Sequence, residues 1–90
     1  MSVPAIDRPY LVDTLAELIR INSINPSLVP GAPGEGAIAT YVASALRRLG
    51  LDVTTLESHA GRPSVVGMLR GTGRGHSLML NAHLDTVGID

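Results

Sequence analysis

The sequence predicts an α/β fold in which two helices pack on a mixed sheet. Two segments in the first half place apolar residues at helical spacing, whereas the second half is rich in β-branched residues. The predicted order is therefore helix, helix, strand, strand, strand. No internal repeat or low-complexity linker interrupts this order, so we place no domain boundary within the 90 residues.

The first predicted helix covers Leu11 to Ile21, whose apolar residues follow the i, i+1, i+4, i+7, i+8 spacing of an amphipathic helix. Asp7 is placed to cap its N-terminus, and Pro9 is tolerated in a first turn. The helix should end before Pro26, because proline disfavours the α conformation of the residue that precedes it. A Pro- and Gly-rich loop then runs to about Gly34.

The second helix is the clearest element of the sequence. Arg47 and Arg48 lie in its last turn, where positive charge favours the negative end of the helix dipole. Gly50 follows as the C′ residue, and Glu35 is expected to stabilise the N-terminus electrostatically. Helical spacing over three turns is carried by Ile38, Tyr41, Val42, Ala45, Leu46 and Leu49.

Three strands are predicted after the second helix. Leu51 to Glu57 and Ser64 to Arg70 contain the β-branched residues that favour strands. Gly71 to His76 is turn material and should connect the second strand to the third as a hairpin loop. The third strand, Ser77 to Ala82, is a nearly continuous apolar run of the kind that is buried on both faces of an α/β sheet.

Composition limits the classes of function that the chain can have. The formal net charge is −1 and all seven basic residues are arginines spread along the chain, so no basic stripe is available for nucleic acid. There is no Cys, and a metal would have to be held by His and carboxylates. Met1 to Tyr10 does not have the pattern of a signal peptide, and no stretch approaches the ~20 apolar residues that span a bilayer. We therefore expect a cytoplasmic protein that binds neither nucleic acid nor membrane.

His83 and Asp85 follow the predicted third strand and are the best candidates for chemistry. Alternating strand side chains would place both on one face, just beyond the carboxyl end of the strand. The imidazole could then bind a divalent ion while the carboxylate fixes the orientation of the ring. A surface turn with two polar residues is the alternative for this tripeptide alone. His59 and His76 are interpreted as solvated loop residues, and Ser23 as a turn residue.

Three spaced segments resemble one enzyme family. Ser23-Ile-Asn25-Pro26 follows the first helix, Gly34-Glu35-Gly36 opens the second, and Leu80-Asn-Ala-His83-Leu84-Asp85-Thr86-Val87 comes last. In this order they resemble the acetylornithine deacetylase, succinyl-diaminopimelate desuccinylase and glutamate carboxypeptidase family of di-zinc peptidases and aminoacylases. The similarity spans nearly the whole chain.

The resemblance implies a role for each of the two candidates. His83 would be a metal ligand, and Asp85, counted with the catalytic residues, would support a ligand's imidazole. The cofactors would be two divalent metal ions, with zinc as the preferred candidate and cobalt or manganese as alternatives. The reaction would be hydrolysis of an amide bond in an N-acyl amino acid or a short peptide, by a deacylase or an exopeptidase.

The rest of the family's site has no counterpart in this sequence. A bridging Asp, an adjacent Glu pair, a further carboxylate and a second His are missing. The resemblance thus makes residues 1–90 an incomplete N-terminal part of a zinc-peptidase-like catalytic domain. We expect this part to be inactive by itself, and we allow for a homo-oligomer.

Two alternatives from other classes stay open. The chain could be a small non-catalytic α/β binding or assembly module, because a catalytic zinc usually needs three protein ligands and only one good one is present. It could also be a phosphate- or nucleotide-binding domain. That would need a helix directly after Gly71 to Gly75, and the apolar run Leu78 to Leu80 argues against one.

Overall fold

The structure, a computed structural model, describes residues 4–89 and contains two helices followed by a β-hairpin. Helix α1 spans Arg8–Arg20 and helix α2 spans Gly36–Arg48. Strands β1 (Asp52–His59) and β2 (Arg62–Met68) pair as a two-stranded antiparallel sheet. The α/β class predicted from the sequence is therefore confirmed. Neither helix is long and apolar enough to cross a membrane, as far as residues 4–89 are concerned.

Helix α1 begins where its sequence predicts. The Asp7 carboxylate accepts a hydrogen bond of 3.1 Å from the backbone N–H of Tyr10, and Pro9 lies in the first turn. The helix ends at Arg20, before Pro26. None of its residues is buried, so its apolar stripe is uncovered. The residues of this stripe that are more than half exposed are Leu11, Val12, Leu15 and Ile19.

Helix α2 packs on the hairpin and supplies the core. The contact is close at Gly67 in β2, where a Cβ would lie 2.9 Å from Leu46 Cδ1 and 3.0 Å from Leu51 Cδ2. A larger residue at this position would therefore require the side chains of Leu46 and Leu51 to shift. The buried apolar residues are Ile38, Ala39, Ala43 and Ala45.

Helix α2 ends in a Schellman motif at Gly50. The N–H of Gly50 donates to the carbonyl of Arg47 at 2.9 Å, and the N–H of Leu51 donates to the carbonyl of Leu46 at 3.1 Å. Gly50 has a φ of +89°, which glycine adopts without steric cost. This confirms Gly50 as the C′ residue.

The hairpin is tighter than the sequence predicts. Asp52 pairs with Met68 and Thr54 pairs with Val66, with an irregularity between Leu56 and His59. His59, expected in a loop, is instead the last residue of β1. Two residues separate the end of β1 at His59 from the start of β2 at Arg62, so the chain reverses direction within those two residues.

The prediction of a third strand, Ser77 to Ala82, is wrong for the residues that the structure describes. Residues 69–85 contain neither helix nor strand, and Leu78, Met79 and Leu80 are each more than 80% exposed. A strand needs a neighbour for its backbone hydrogen bonds, and residues 4–89 place none beside this run. The Gly71 to Gly75 segment is consequently not a hairpin loop.

The arrangement of the sheet also differs from the prediction. The sheet is antiparallel rather than mixed, and parallel pairing is limited to an isolated bridge between Ile24 and Thr86. Among residues 4–89, α2 is the only helix that packs extensively on the strands, whereas two helices were expected to do so.

The radius of gyration is 15.4 Å, compared with about 12 Å for a compact domain of this length. Much apolar surface is therefore left uncovered.

Glu35 lies at the N-cap position of α2, but its side chain makes no capping hydrogen bond and instead forms a partly buried ion pair with Arg62. Its carboxylate accepts hydrogen bonds from Arg62 Nε at 2.6 Å and from Arg62 Nη2 at 2.7 Å. Arg62 Nη1 also donates to Ser27 Oγ at 3.4 Å. The hydrogen bond and the charge of Glu35 raise the pKa of Arg62 above its usual value. Arg62, at the hairpin turn, thus binds both Glu35 at the start of α2 and Ser27 in the loop that precedes α2.

Exposed apolar side chains predict that the 90-residue chain self-associates. The run Leu78 to Leu80 and the stripe of α1 are the surfaces that association would cover. Replacing Leu78 and Leu80 together by Ser should weaken association in sedimentation equilibrium across a range of concentrations. Leu28→Ser removes an exposed side chain elsewhere and is the control. A strictly monomeric wild-type chain would contradict this prediction.

The ion pair predicts a second outcome, on stability. Arg62→Met should lower the thermal midpoint by about 5 °C or more, because it leaves the buried Glu35 carboxylate without its partner. Arg20→Met breaks the exposed pair between Arg20 and Glu17 and should have little effect. Equal thermal midpoints for the two variants would show that the Glu35–Arg62 pair contributes no more to stability than the exposed pair does.

Candidate functional site

His83 and Asp85 lie in an extended segment rather than at the end of a strand, but their side chains meet. His83 Nδ1 is 2.9 Å from the backbone oxygen of Asp85 and 3.2 Å from Asp85 Oδ1. A carbonyl oxygen and an ionised carboxylate only accept hydrogen bonds, so Nδ1 carries the proton and donates it. In the neutral imidazole Nε2 then keeps its lone pair.

The ring of His83 is available to a ligand. Its side chain is 85% exposed, whereas that of Asp85 is 30% exposed. Metal-binding histidines commonly donate their second N–H to a carboxylate or a backbone carbonyl, and His83 donates to both. Within residues 4–89, however, no group of three or more His, Asp or Glu side chains could hold a metal ion. The described residues therefore fit one metal ligand with its support, and not a complete centre.

Backbone pairing holds this segment against the loop that follows α1. The N–H of Thr86 donates to the carbonyl of Ser23 at 3.0 Å, and the N–H of Asn25 donates to the carbonyl of Thr86 at 3.0 Å. Ser23 Oγ donates to the carbonyl of Leu84 at 2.9 Å. Ser23 is 1% exposed, so its hydroxyl is shielded from water. We call this set of contacts the 23–25/84–86 clip.

Asn25 adds a side-chain bond to the clip. Its Nδ2 donates to Asp85 Oδ2 at 2.8 Å, which leaves Oδ1 for His83. This hydrogen bond is the main cause that lowers the pKa of Asp85; partial burial opposes it and His83 adds to it. A lowered pKa means that this stabilisation is present above the ordinary value of 3.8 and is lost as the pH falls through the lower value of the folded state.

An open cleft of about 560 Å³ adjoins His83. It lies between the C-terminal end of α1, the loop after it and residues 83–89, and apolar side chains form most of its surface. Concave apolar surfaces with a few polar groups are typical of small-molecule sites. The apolar lining residues are Leu18, Ile19, Ile21, Ile24, Ile38, Leu84, Val87 and Ile89.

The other candidate residues lie apart from this pair or have a different role. His59 and His76 form no hydrogen bond with His83 or Asp85 in the part of the chain that the structure describes. Ser23 is a buried residue that holds the site together, not a simple turn residue. The role of Asn25 was not identified from the sequence. The signal available was its position before Pro26, because the residue before a proline favours an extended backbone.

No protein-family model matches the chain, and no solved structure matches it significantly. The resemblance to the deacetylase and carboxypeptidase family therefore rests on the three sequence segments given above.

The clip predicts the effect of Ser23→Ala. Without the hydroxyl, the Leu84 carbonyl loses its partner, and the free energy of unfolding should fall by about 1 kcal/mol. Amide hydrogen exchange at Thr86 should accelerate, because its bond to the Ser23 carbonyl opens more often. Ser77→Ala, in the exposed segment, should change neither quantity. Unchanged exchange at Thr86 in Ser23→Ala would mean that the hydroxyl does not hold the clip.

Proposed function

We propose that this chain supplies part of the active site of a metal-dependent amidohydrolase that acts on N-acyl amino acids or short peptides. The observation that carries the proposal is the His83 ring, whose Nδ1–H is held by Asp85 while the exposed ring offers Nε2. Asp85 would raise the basicity of the ring and fix its direction. The proposal keeps the cytoplasmic location expected from the sequence.

The chemistry would be shared between this chain and residues outside it. Two divalent ions, with zinc preferred over cobalt or manganese, would polarise the scissile carbonyl and activate a water. His83 would bind one ion through Nε2, and Asp85 would remain ionised to balance part of its charge. The group that takes the proton from water is expected outside residues 1–90. The apolar cleft beside His83 would border the substrate.

A non-catalytic binding or assembly module is the second candidate. The uncovered apolar stripe of α1 and the exposed run Leu78 to Leu80 favour it. A coding sequence that continues past Asp90 with an Asp and a Glu–Glu pair would favour the hydrolase, whereas a stop codon there would favour the module. Phosphate binding is disfavoured, because no helix follows Gly71 to Gly75 within residues 69–89.

The proposal predicts distinct losses for the two residues. In the full-length protein His83→Ala should abolish most hydrolysis of N-acyl amino acids, and Asp85→Ala should reduce it about 10- to 100-fold, the usual cost of a residue that supports a metal ligand. His76→Ala, at an exposed loop histidine, is the control and should retain activity.

The test is to measure metal content and hydrolytic activity of the full-length protein and its variants, with and without a chelator. The 90-residue chain alone should be inactive even with added zinc. Wild-type activity and metal content in both His83→Ala and Asp85→Ala would overturn the proposed site.

A further inference from the structure

We propose that Asn25 is a positioning residue of this site, which acts through Asp85 to fix the nitrogen that His83 offers to a metal. The metal itself rests on the function proposed above. The chain of contacts from Asn25 to Asp85 to His83 is formed by the protein alone.

Three hydrogen bonds fix Asn25, one through its backbone N–H and two through its side-chain amide. Its backbone N–H donates to the Thr86 carbonyl at 3.0 Å, and its Oδ1 accepts from the N–H of Ser27 at 2.7 Å. With the backbone and the oxygen both engaged, Nδ2 is directed at Asp85 Oδ2, 2.8 Å away. An Asn whose oxygen closes a turn in this manner has little freedom to rotate. Asn25 is thus a rigid donor.

The bond to Asn25 determines what the other carboxylate oxygen does. With Oδ2 engaged, Oδ1 lies 3.2 Å from His83 Nδ1 and accepts part of its hydrogen bond. Without the amide, the carboxylate could turn towards water, and Nδ1 would keep only the Asp85 carbonyl as acceptor. Loss of a charged acceptor weakens the preference for the Nδ1–H tautomer and lowers the basicity of Nε2.

No second donor replaces Asn25 among the described residues. Arg62 is the nearby cation, but its Nε and Nη2 bind Glu35 and its Nη1 binds Ser27. Apart from the ring of His83, Asn25 is the only described side chain that donates a hydrogen bond to the Asp85 carboxylate. Asn25 is therefore the described side chain that holds Oδ2, while the ring of His83 contacts Oδ1.

Asn25→Ser separates the positioning role from the turn. A Ser hydroxyl can still accept from the N–H of Ser27, as in related turns, but is too short to reach Asp85. Asn22→Ser is the matched control, because Asn22 Oδ1 accepts from the N–H of Ile24 at 3.1 Å in the same loop and does not bond to Asp85. Both substitutions leave the net charge unchanged.

The first measurement is the tautomer of His83 in the ¹⁵N-labelled 90-residue chain, without metal and at a pH where the ring is neutral. The wild-type ring should be protonated on Nδ1. In Asn25→Ser the share of the Nε2–H tautomer should rise, whereas Asn22→Ser should match the wild type. A purely structural role in the turn would not move this signal.

The second measurement adds zinc alone and follows the side-chain signals of His83. The Kd should rise about five- to tenfold in Asn25→Ser, the usual effect of losing one hydrogen bond, and stay the same in Asn22→Ser. An unchanged tautomer and an unchanged Kd in Asn25→Ser would overturn the inference. If Asn25→Ser does not fold, Asn25→Thr retains a hydroxyl acceptor for the turn without a change of charge and also cannot reach Asp85, and its tautomer must shift in the same direction.

The two proposals fail in different ways. His83 signals that do not respond to zinc in the wild-type full-length protein would overturn the metal-binding function. The tautomer comparison would still decide whether Asn25 positions Asp85, because it is made without metal.

Discussion

The arrangement of the candidate site depends on the 23–25/84–86 clip. Its hydrogen bonds join residues about 60 positions apart in the chain, and residues 69–85 have no helix or strand that could hold them in place. Closing a loop of this length has an entropic cost that the clip must offset. The clip does so with backbone pairing on both sides of Ile24 and with the buried hydroxyl of Ser23. Without it, His83 and Asp85 would have no defined position relative to the rest of the fold.

The ion pair between Glu35 and Arg62 connects this loop to the core. Glu35 precedes α2, Arg62 begins β2, and Ser27 lies two residues beyond Asn25. The loop that carries Asn25 is therefore held by the packed unit of α2 and the hairpin at one end and by the clip at the other. Functional groups carried on loops but positioned by a rigid scaffold are a common arrangement in binding sites.

The uncovered apolar surface bears on both candidate functions. The stripe of α1, the run Leu78 to Leu80 and the cleft beside His83 together leave many apolar side chains in contact with water. A metal centre completed by residues outside this chain and an assembly surface would both cover such side chains. The contact between the exposed ring of His83 and Asp85 is the observation that supports the proposed metal centre.

Elements whose signals are local could be predicted from the amino-acid sequence. Asp7 caps α1 and Gly50 ends α2 because each acts on backbone groups within a few residues, and the β-branched segments form strands close to their predicted bounds. The proximity of His83 and Asp85 was also predictable, since they are two residues apart, although no strand produces it.

Contacts between residues far apart in the chain could not be predicted and became apparent in the folded structure. Arg62 finds Glu35 across 27 positions and Asn25 finds Asp85 across 60, and no local pattern encodes such pairs. The apolar run Leu78 to Leu80 has the composition of a buried strand but does not form one here. The physical reason is that a strand is defined by the hydrogen bonds of its neighbours, which its own sequence cannot supply.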